Sequence, residues 1–131
     1  MSRAQLAAVA DLLTIDLAPV CELHHGDCLG SDNEAHMTAA ALEIATVIHP
    51  PVNPAYRAWC SRAAEYRPPK DYLDRNADIV DETDVLIAAP YAETNTGGTW
   101  FTVRYARDKG RPLAIVYRSG WVTWERLGEV R

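Results

Sequence analysis

The alternation of apolar strands with amphipathic helices predicts an α/β fold around a mostly parallel sheet with right-handed crossovers. Three observations carry this expectation. DVLIAAP (84–90) and PLAIVYR (112–118) are short aliphatic runs of the kind a strand buried on both faces requires. Segments with helical spacing of apolar residues lie before and between them. Two glycine-bearing loops, GDCLG and TNTGG, each stand between a strand and a helix. A length of 131 residues suits one domain, spanning 1–131, with a core of its own.

The elements follow in order. Leu6, Val9, Leu12 and Leu13 recur at helical spacing, so the chain opens on an amphipathic helix from Ser2 to Leu13. VCELHHGD is an apolar run ending in glycine and acid, which suits a buried strand feeding a loop. Ser31 with Glu34 has the form of a capping box for the helix SDNEAHMTAAALEIA. ATVIHPP is a second strand, stopped by Pro50 and Pro51. In NPAYRAWCSRAAEY, Asn53 as N-cap and Pro54 at the first helical position predict a further helix or half-helix. After the break RPPK, residues Leu73, Ala77 and Val80 form one stripe of a helix through YLDRNADIVDETD. The strand DVLIAAP, the loop YAETNTGG and the helix TWFTVRYARDKG come next, the helix carrying Lys109 in its last turn and Gly110 as its C-cap. PLAIVYR is another strand, and RSGWVTWE turns back as an edge hairpin around Ser119 and Gly120.

Composition narrows the functions. Apolar residues make up 48% of the chain and charged ones 24%, a globular balance. The net charge of -5 lacks the basic footprint of a nucleic-acid binder, so a nucleic-acid partner is not expected. Cys21, Cys28 and Cys60 form no CxxC pair and fit a reducing compartment. No stretch reaches the apolar length of a membrane span, and the opening residues do not read as a secretory leader. A cytoplasmic location without membrane attachment is the expectation, which would be the host cytoplasm for a phage-encoded chain.

In a parallel sheet, ligands bind beyond the carboxyl ends of the strands, where both glycine loops stand. Gly26 and Gly30 in the first loop, and Gly97 and Gly98 in the second, lead into helix N-termini whose free N–H groups and dipole suit an anion. Ser31, Thr99 and Thr102 add hydroxyls, and Arg75 beside Asn76 offers a planar donor fork for a phosphate. Trp100 and Tyr91 could stack on a base, although aromatics at such positions also serve as core. Cys28 beside a helix start could be an activated thiol or a small filler. Asp27, Asp32 and Glu34 could supply a general base or hold a ribose, while acids in a first helical turn are also what any helix prefers. His24, His25, Asp27, Cys28 and His36 crowd one stretch. Adjacent His24 and His25 in a strand nevertheless point to opposite faces, and no two spaced ligand pairs are seen. Neither a metal nor a cofactor is expected, and the imidazoles read as packing, with His36 toward the pocket or a helix neighbour.

HHGDCLGSDNEAH, HPP at His49 to Pro51, PPKDYLDRNADIVDETDVLIAAP, GGTWFTVRYAR and GRPLAIVY together resemble the SLOG superfamily of nucleotide-binding domains, particularly its short prokaryotic and phage members. The likeness covers roughly Leu23 to Tyr117. GDCLGSDNEAH is similar to the GxDxxAH stretch of the DNA-processing protein A family, and GGTWFT occupies the place of the PGGxGT loop of the lonely-guy phosphoribohydrolases. The resemblance implies a Rossmann-like three-layer sandwich. It also implies a pocket for a nucleotide-derived phosphorylated molecule, at Gly26, Asp27, Gly30, Asp32, Arg75, Asn76, Gly97, Gly98, Thr99 and Thr102. Two departures qualify it. Thr102 is followed by Val103, Arg104 and Tyr105 where the hydrolases carry a glutamate, so binding without turnover is favoured. A sensor or a sequestering protein is implied, such as a phage sponge for a cyclic nucleotide or ADP-ribose-type immune signal. The alternative is a nucleotide N-glycosidase with Asp32, Glu34 or Asp27 in place of the glutamate. Relatives also begin with a strand that this chain lacks. Either the HHGDCLG strand closes against DVLIAAP, or another segment or subunit fills the gap, and a vacant strand position favours a homo-oligomer, a dimer or higher.

Overall fold

The computed structural model describes residues 1–92 and 97–125. They form a mixed α/β protein whose order is α1 (Arg3–Asp11), β1 (Glu22–His25), α2 (Ser31–Ala41), β2 (Ala45–Ile48), β3 (Glu65–Tyr66), α3 (Tyr72–Asp81), β4 (Leu86–Ala88), α4 (Gly98–Asp108), β5 (Leu113–Val116) and β6 (Val122–Glu125). Among the described residues no helix is long and apolar enough to cross a membrane.

The strands divide into two three-stranded sheets. One has the order β1-β2-β3 and is all parallel; the other has the order β4-β5-β6, with β4 parallel and β6 antiparallel to β5. The HHGDCLG strand therefore does not close against DVLIAAP. β1 and β4 each end a sheet.

Alternation along the strands decides where the helices go. Ala114 and Val116 of β5 meet Val9, Leu12 and Leu13 of the first helix, and Leu23 of β1 and Ile87 of β4 pack into the same cluster. Thus α1 spans both sheets from one side. Leu113 and Ile115 of β5, with Leu86 and Ala88 of β4, instead meet Val80 of α3 and Val103 and Ala106 of α4. Full burial of a leucine such as Leu12 contributes about 2–3 kcal/mol.

Ser2 starts α1 with a capping box, its hydroxyl accepting from Gln5 N–H while the Gln5 side chain accepts from Ser2 N–H. The helix runs on as a π-turn over Leu12–Asp16. The buried Gln5 amide donates to Pro90 O at 2.9 Å and Val116 O at 3.0 Å, tying α1 to the ends of β4 and β5. The final hairpin forms as expected, with Gly120 at φ 89° and its N–H on Tyr117 O at 2.8 Å.

Three local expectations change. The helix or half-helix expected after Asn53 is a single 3-10 turn, Pro54–Tyr56, and Glu65–Tyr66 is a strand. The N-cap of α2 is Gly30, at φ 93°, so Ser31 is the first helical residue and Glu34 instead pairs with the Met1 ammonium. The cap residue of α4 is Lys109, and Gly110 follows it at φ 70°, as a helix ending in a left-handed residue requires.

Candidate functional site

A cavity of about 360 Å³ lies between the two sheets, walled by Leu23, His24 and His25 of β1 and by Leu86, Ile87 and Ala88 of β4. Two glycine-started helices deliver their first turns to it. Gly30 and Gly97 hold left-handed backbones, at φ 93° and φ 95°, that turn each loop into its helix, and neither helix has a side-chain cap. The first N–H groups of both helices consequently keep their hydrogen-bonding capacity. Their electrostatics differ: α2 carries Asp32 and Glu34 in its first turn, whereas α4 carries no acid there.

Helix α3 spaces the two loops. A Cβ on Gly26 would lie 2.5 Å from Arg75 Nη1, and one on Gly98 would overlap the Tyr72 hydroxyl outright. Both loops are thus glycine where an α3 side chain crosses them. Arg75, 3% exposed, spends its fork within the fold. Nη1 donates to Gly26 O and, at 3.0 Å, to His49 O; Nε donates to Asn76 Oδ1 at 2.7 Å, and Nη2 reaches Cys28 Sγ at 3.4 Å. It sets the loop rather than presenting a free fork to a phosphate.

Of the residues singled out in the sequence, Gly26, Cys28, Ser31, Asp32, Arg75, Asn76, Gly98, Thr99 and Thr102 line this cavity. Thr102 Oγ1 donates to Gly98 O at 2.9 Å. Gly30 and Gly97 stand at the helix starts without lining it, and Thr94 to Thr96 of the second loop lie outside the described residues. Trp100 packs against the α3–α4 core cluster and donates from Nε1 to Ala92 O at 3.2 Å; Tyr91 is exposed beneath Arg118. Glu34 lies with the Met1 ammonium. Asp27 is fully buried, its carboxylate taking Arg57 Nε at 2.7 Å and Cys60 N–H at 2.9 Å. Burial alone would raise its pKa, but these hydrogen bonds outweigh burial and hold the carboxyl below its ordinary range. Of the three candidate acids only Asp32 lines the cavity, and its Oδ2 accepts the Cys28 N–H at 3.1 Å.

The thiol departs from the activated cysteine the helix start suggests. Burial, then Asp32, pushes Cys28 up despite Arg75, so it is a neutral thiol. Burial and Asp27 push Cys60 up to about 12.

All four histidines pair. His24 Nδ1 lies 2.9 Å from His49 Nε2 on one face of β1, and His25 Nε2 lies 2.9 Å from His36 Nδ1 on the other. His25 Nδ1 accepts Asp27 N–H at 3.0 Å, so its proton sits on Nε2 and passes the bond to His36, whose Nε2–H donates to Ser61 O at 2.8 Å. That neutral chain fits the lowered pKa of His25, which burial drives against the pull of Asp32. Burial likewise brings His49 down to about 4.

Two donor groups could hold a metal by proximity, His25 with His36 and Cys60, and His24 with His49 and Glu82. Their chemistry argues otherwise. His25 can ligate through Nε2 only by moving its proton to the nitrogen that already accepts the Asp27 amide. In the second group His24 is held between Glu22 and His49, and Glu82 is paired with Arg67 at 2.8 Å.

Sequence reasoning missed Tyr72 and the cavity-facing roles of His24 and His25. The signal for Tyr72 was its place one helical turn before Arg75 on the same face of α3. Comparison of the chain with protein families, curated proteins and solved structures finds no match.

Proposed function

We propose that the protein binds a phosphorylated, nucleotide-derived small molecule in the cavity between its sheets, as a sensor or sequestering protein of Rossmann-like, SLOG-type architecture. The convergence of two uncapped, glycine-started helices on one cavity of about 360 Å³ carries the reading, and that volume is within the range of small-molecule sites. The difference between the helices orients the ligand. A phosphate goes to the α4 start at Gly98 and Thr99, where no acid opposes it, and sugar hydroxyls go to Asp32 at the α2 start.

Binding is favoured over turnover by the carboxylates. Asp32 is the sole acid among the described lining residues and one of its oxygens is engaged by Cys28 N–H, while Val103 after the GGTWFT loop is fully buried in the core. A thermal-shift series with nucleoside monophosphates, ADP-ribose, cyclic ADP-ribose isomers and cyclic oligonucleotides tests the reading, each mixture being chromatographed afterwards. One phosphorylated member should raise the melting temperature with a concentration dependence set by mass action and return intact. No shift with any member would overturn the reading. Recovery of free base and ribose phosphate would replace it with N-glycoside hydrolysis at Asp32, which Asp32→Asn should then abolish.

A further inference from the structure

A nucleotide has three parts, and the cavity walls described above answer to two of them, phosphate and sugar. Trp100 and Tyr91, the rings that the sequence offers for stacking on a base, do not line the cavity. Among the described residues that do, rings occur at His24, His25 and Tyr72. The two imidazoles have buried side chains, each bonded to a second imidazole. Tyr72, by contrast, is 51% exposed. Helix α3 fixes its place. Tyr72, Arg75, Asn76 and Ile79 lie three or four positions apart, so one face of the helix meets the cavity. The Arg75 guanidinium, itself held by Gly26 O and His49 O, stands over the ring with Cζ 5.8 Å from its centre, within cation–π range. The tip of the ring reaches the α4 start, where a Cβ on Gly98 would lie 1.6 Å from the Tyr72 hydroxyl. One face of the ring is thereby backed by a cation and its tip is lodged against a glycine, and the exposed remainder borders the cavity.

We infer that Tyr72 is the platform on which the base of the ligand stacks, so that the cavity selects a nucleotide for its flat aromatic base as well as for its phosphate. This role rests on the phosphate reading of the preceding section and adds a third contact to it. A phosphate at Gly98 and Thr99 meets α4 beside the tip of the ring, and the base lies over the face that Arg75 leaves open. A base stacked on a phenol is recognised through its face, which every base has. The ring therefore separates nucleotides from bare sugar phosphates rather than one base from another.

The test titrates the full chain with adenosine 5′-monophosphate and with ribose 5-phosphate, which differ by the base, and reads both affinities by calorimetry. The natural chain should bind adenosine 5′-monophosphate more tightly by at least about fivefold. Tyr72→Leu, which keeps an apolar side chain without the ring, should remove that preference and leave the affinity for ribose 5-phosphate unchanged. Tyr72→Phe, which keeps the ring, should retain the preference. Both substitutions fall on a half-exposed residue, so the fold is not at stake. Three results would overturn the platform while leaving the phosphate reading in place: no preference in the natural chain, a preference that survives Tyr72→Leu, or a loss in that variant shared equally by ribose 5-phosphate, the mark of a structural role. Binding of neither compound also overturns it, and the wider ligand series of the preceding section then decides the phosphate reading separately.

Discussion

Gly98, the first residue of α4, and Gly30, the N-cap of α2, stand at two loop–helix junctions and face different constraints. Gly98 is glycine because Tyr72 occupies the space of its Cβ, and Gly30 because its φ of 93° is left-handed with nothing within 4 Å. Gly98→Ala should push aside the tip of the exposed Tyr72 side chain at small cost in stability, with loss of ligand binding. Gly30→Ala carries backbone strain at φ 93° and ψ -118°, a positive-φ region outside the left-handed helical well, and should cost about 1–3 kcal/mol. Urea midpoints of the two variants check the order, the larger loss being expected for Gly30→Ala. His49 gives a pH dependence. With a native pKa of about 4 against an unfolded value of 6.5, the unfolded chain binds the extra proton between those values. Stability is complete above about pH 6.5, falls as the pH drops toward 4 by on the order of 3 kcal/mol, and loses no more from this group below that. His49→Asn should flatten the slope in urea titrations at stepped pH. At this scale the glycines, Asp32 and the hydroxyls were legible because a loop between a strand end and a helix start is local in sequence. The burial of Asp27 and the engagement of Glu34 were not, since their partners lie 33 positions away at Cys60 and Met1.

Helix α4 offers a test whose two readouts move in opposite directions. Glutamate at Thr99, in a first turn without acids, should stabilise the helix by about 0.3–1 kcal/mol and weaken binding of a phosphorylated ligand at least tenfold. Thermal denaturation and ligand titration check both signs, and a variant that lost stability and binding together would not support the anion site. Most elements were legible, because aliphatic runs such as LAIV and the stripe of α3 state their own burial. The segment after Asn53 was not. Asn53 caps Ala55 N–H at 3.0 Å as its sequence predicts, but Arg57 Nε, Ala58 N–H and Cys60 N–H are drawn to Asp27, and Trp59 and Arg62 adopt left-handed φ values of 57° and 61°. Two bonds to the buried Asp27 carboxylate and one to its main-chain carbonyl replace the helix, and local propensity contains no trace of them.

Across the whole molecule the two sheets are held by the first helix and by α3. Leu12 belongs to a cluster that includes Leu23 and Ile44 on one sheet side and Ala114 and Val116 on the other. Leu12→Ala should cost about 3 kcal/mol and separate the unfolding transitions seen by tryptophan fluorescence and by far-UV circular dichroism. Coincident transitions would mean that the sheets are coupled mainly through α3. That the strands would form two sheets was the least legible feature, since it depends on an edge contact that no segment states alone. The two α3 contacts on the loops set a further limit. Tyr72 and Arg75 lie three residues apart on one helix, about 4.5 Å along its axis, and each rests on one of the two glycine loops. One turn of helix is therefore the caliper that sets the jaw opening of the site. A relative adapted to a longer molecule would need these two residues respaced, from three positions apart to four or seven, before any change in the loops themselves could take effect.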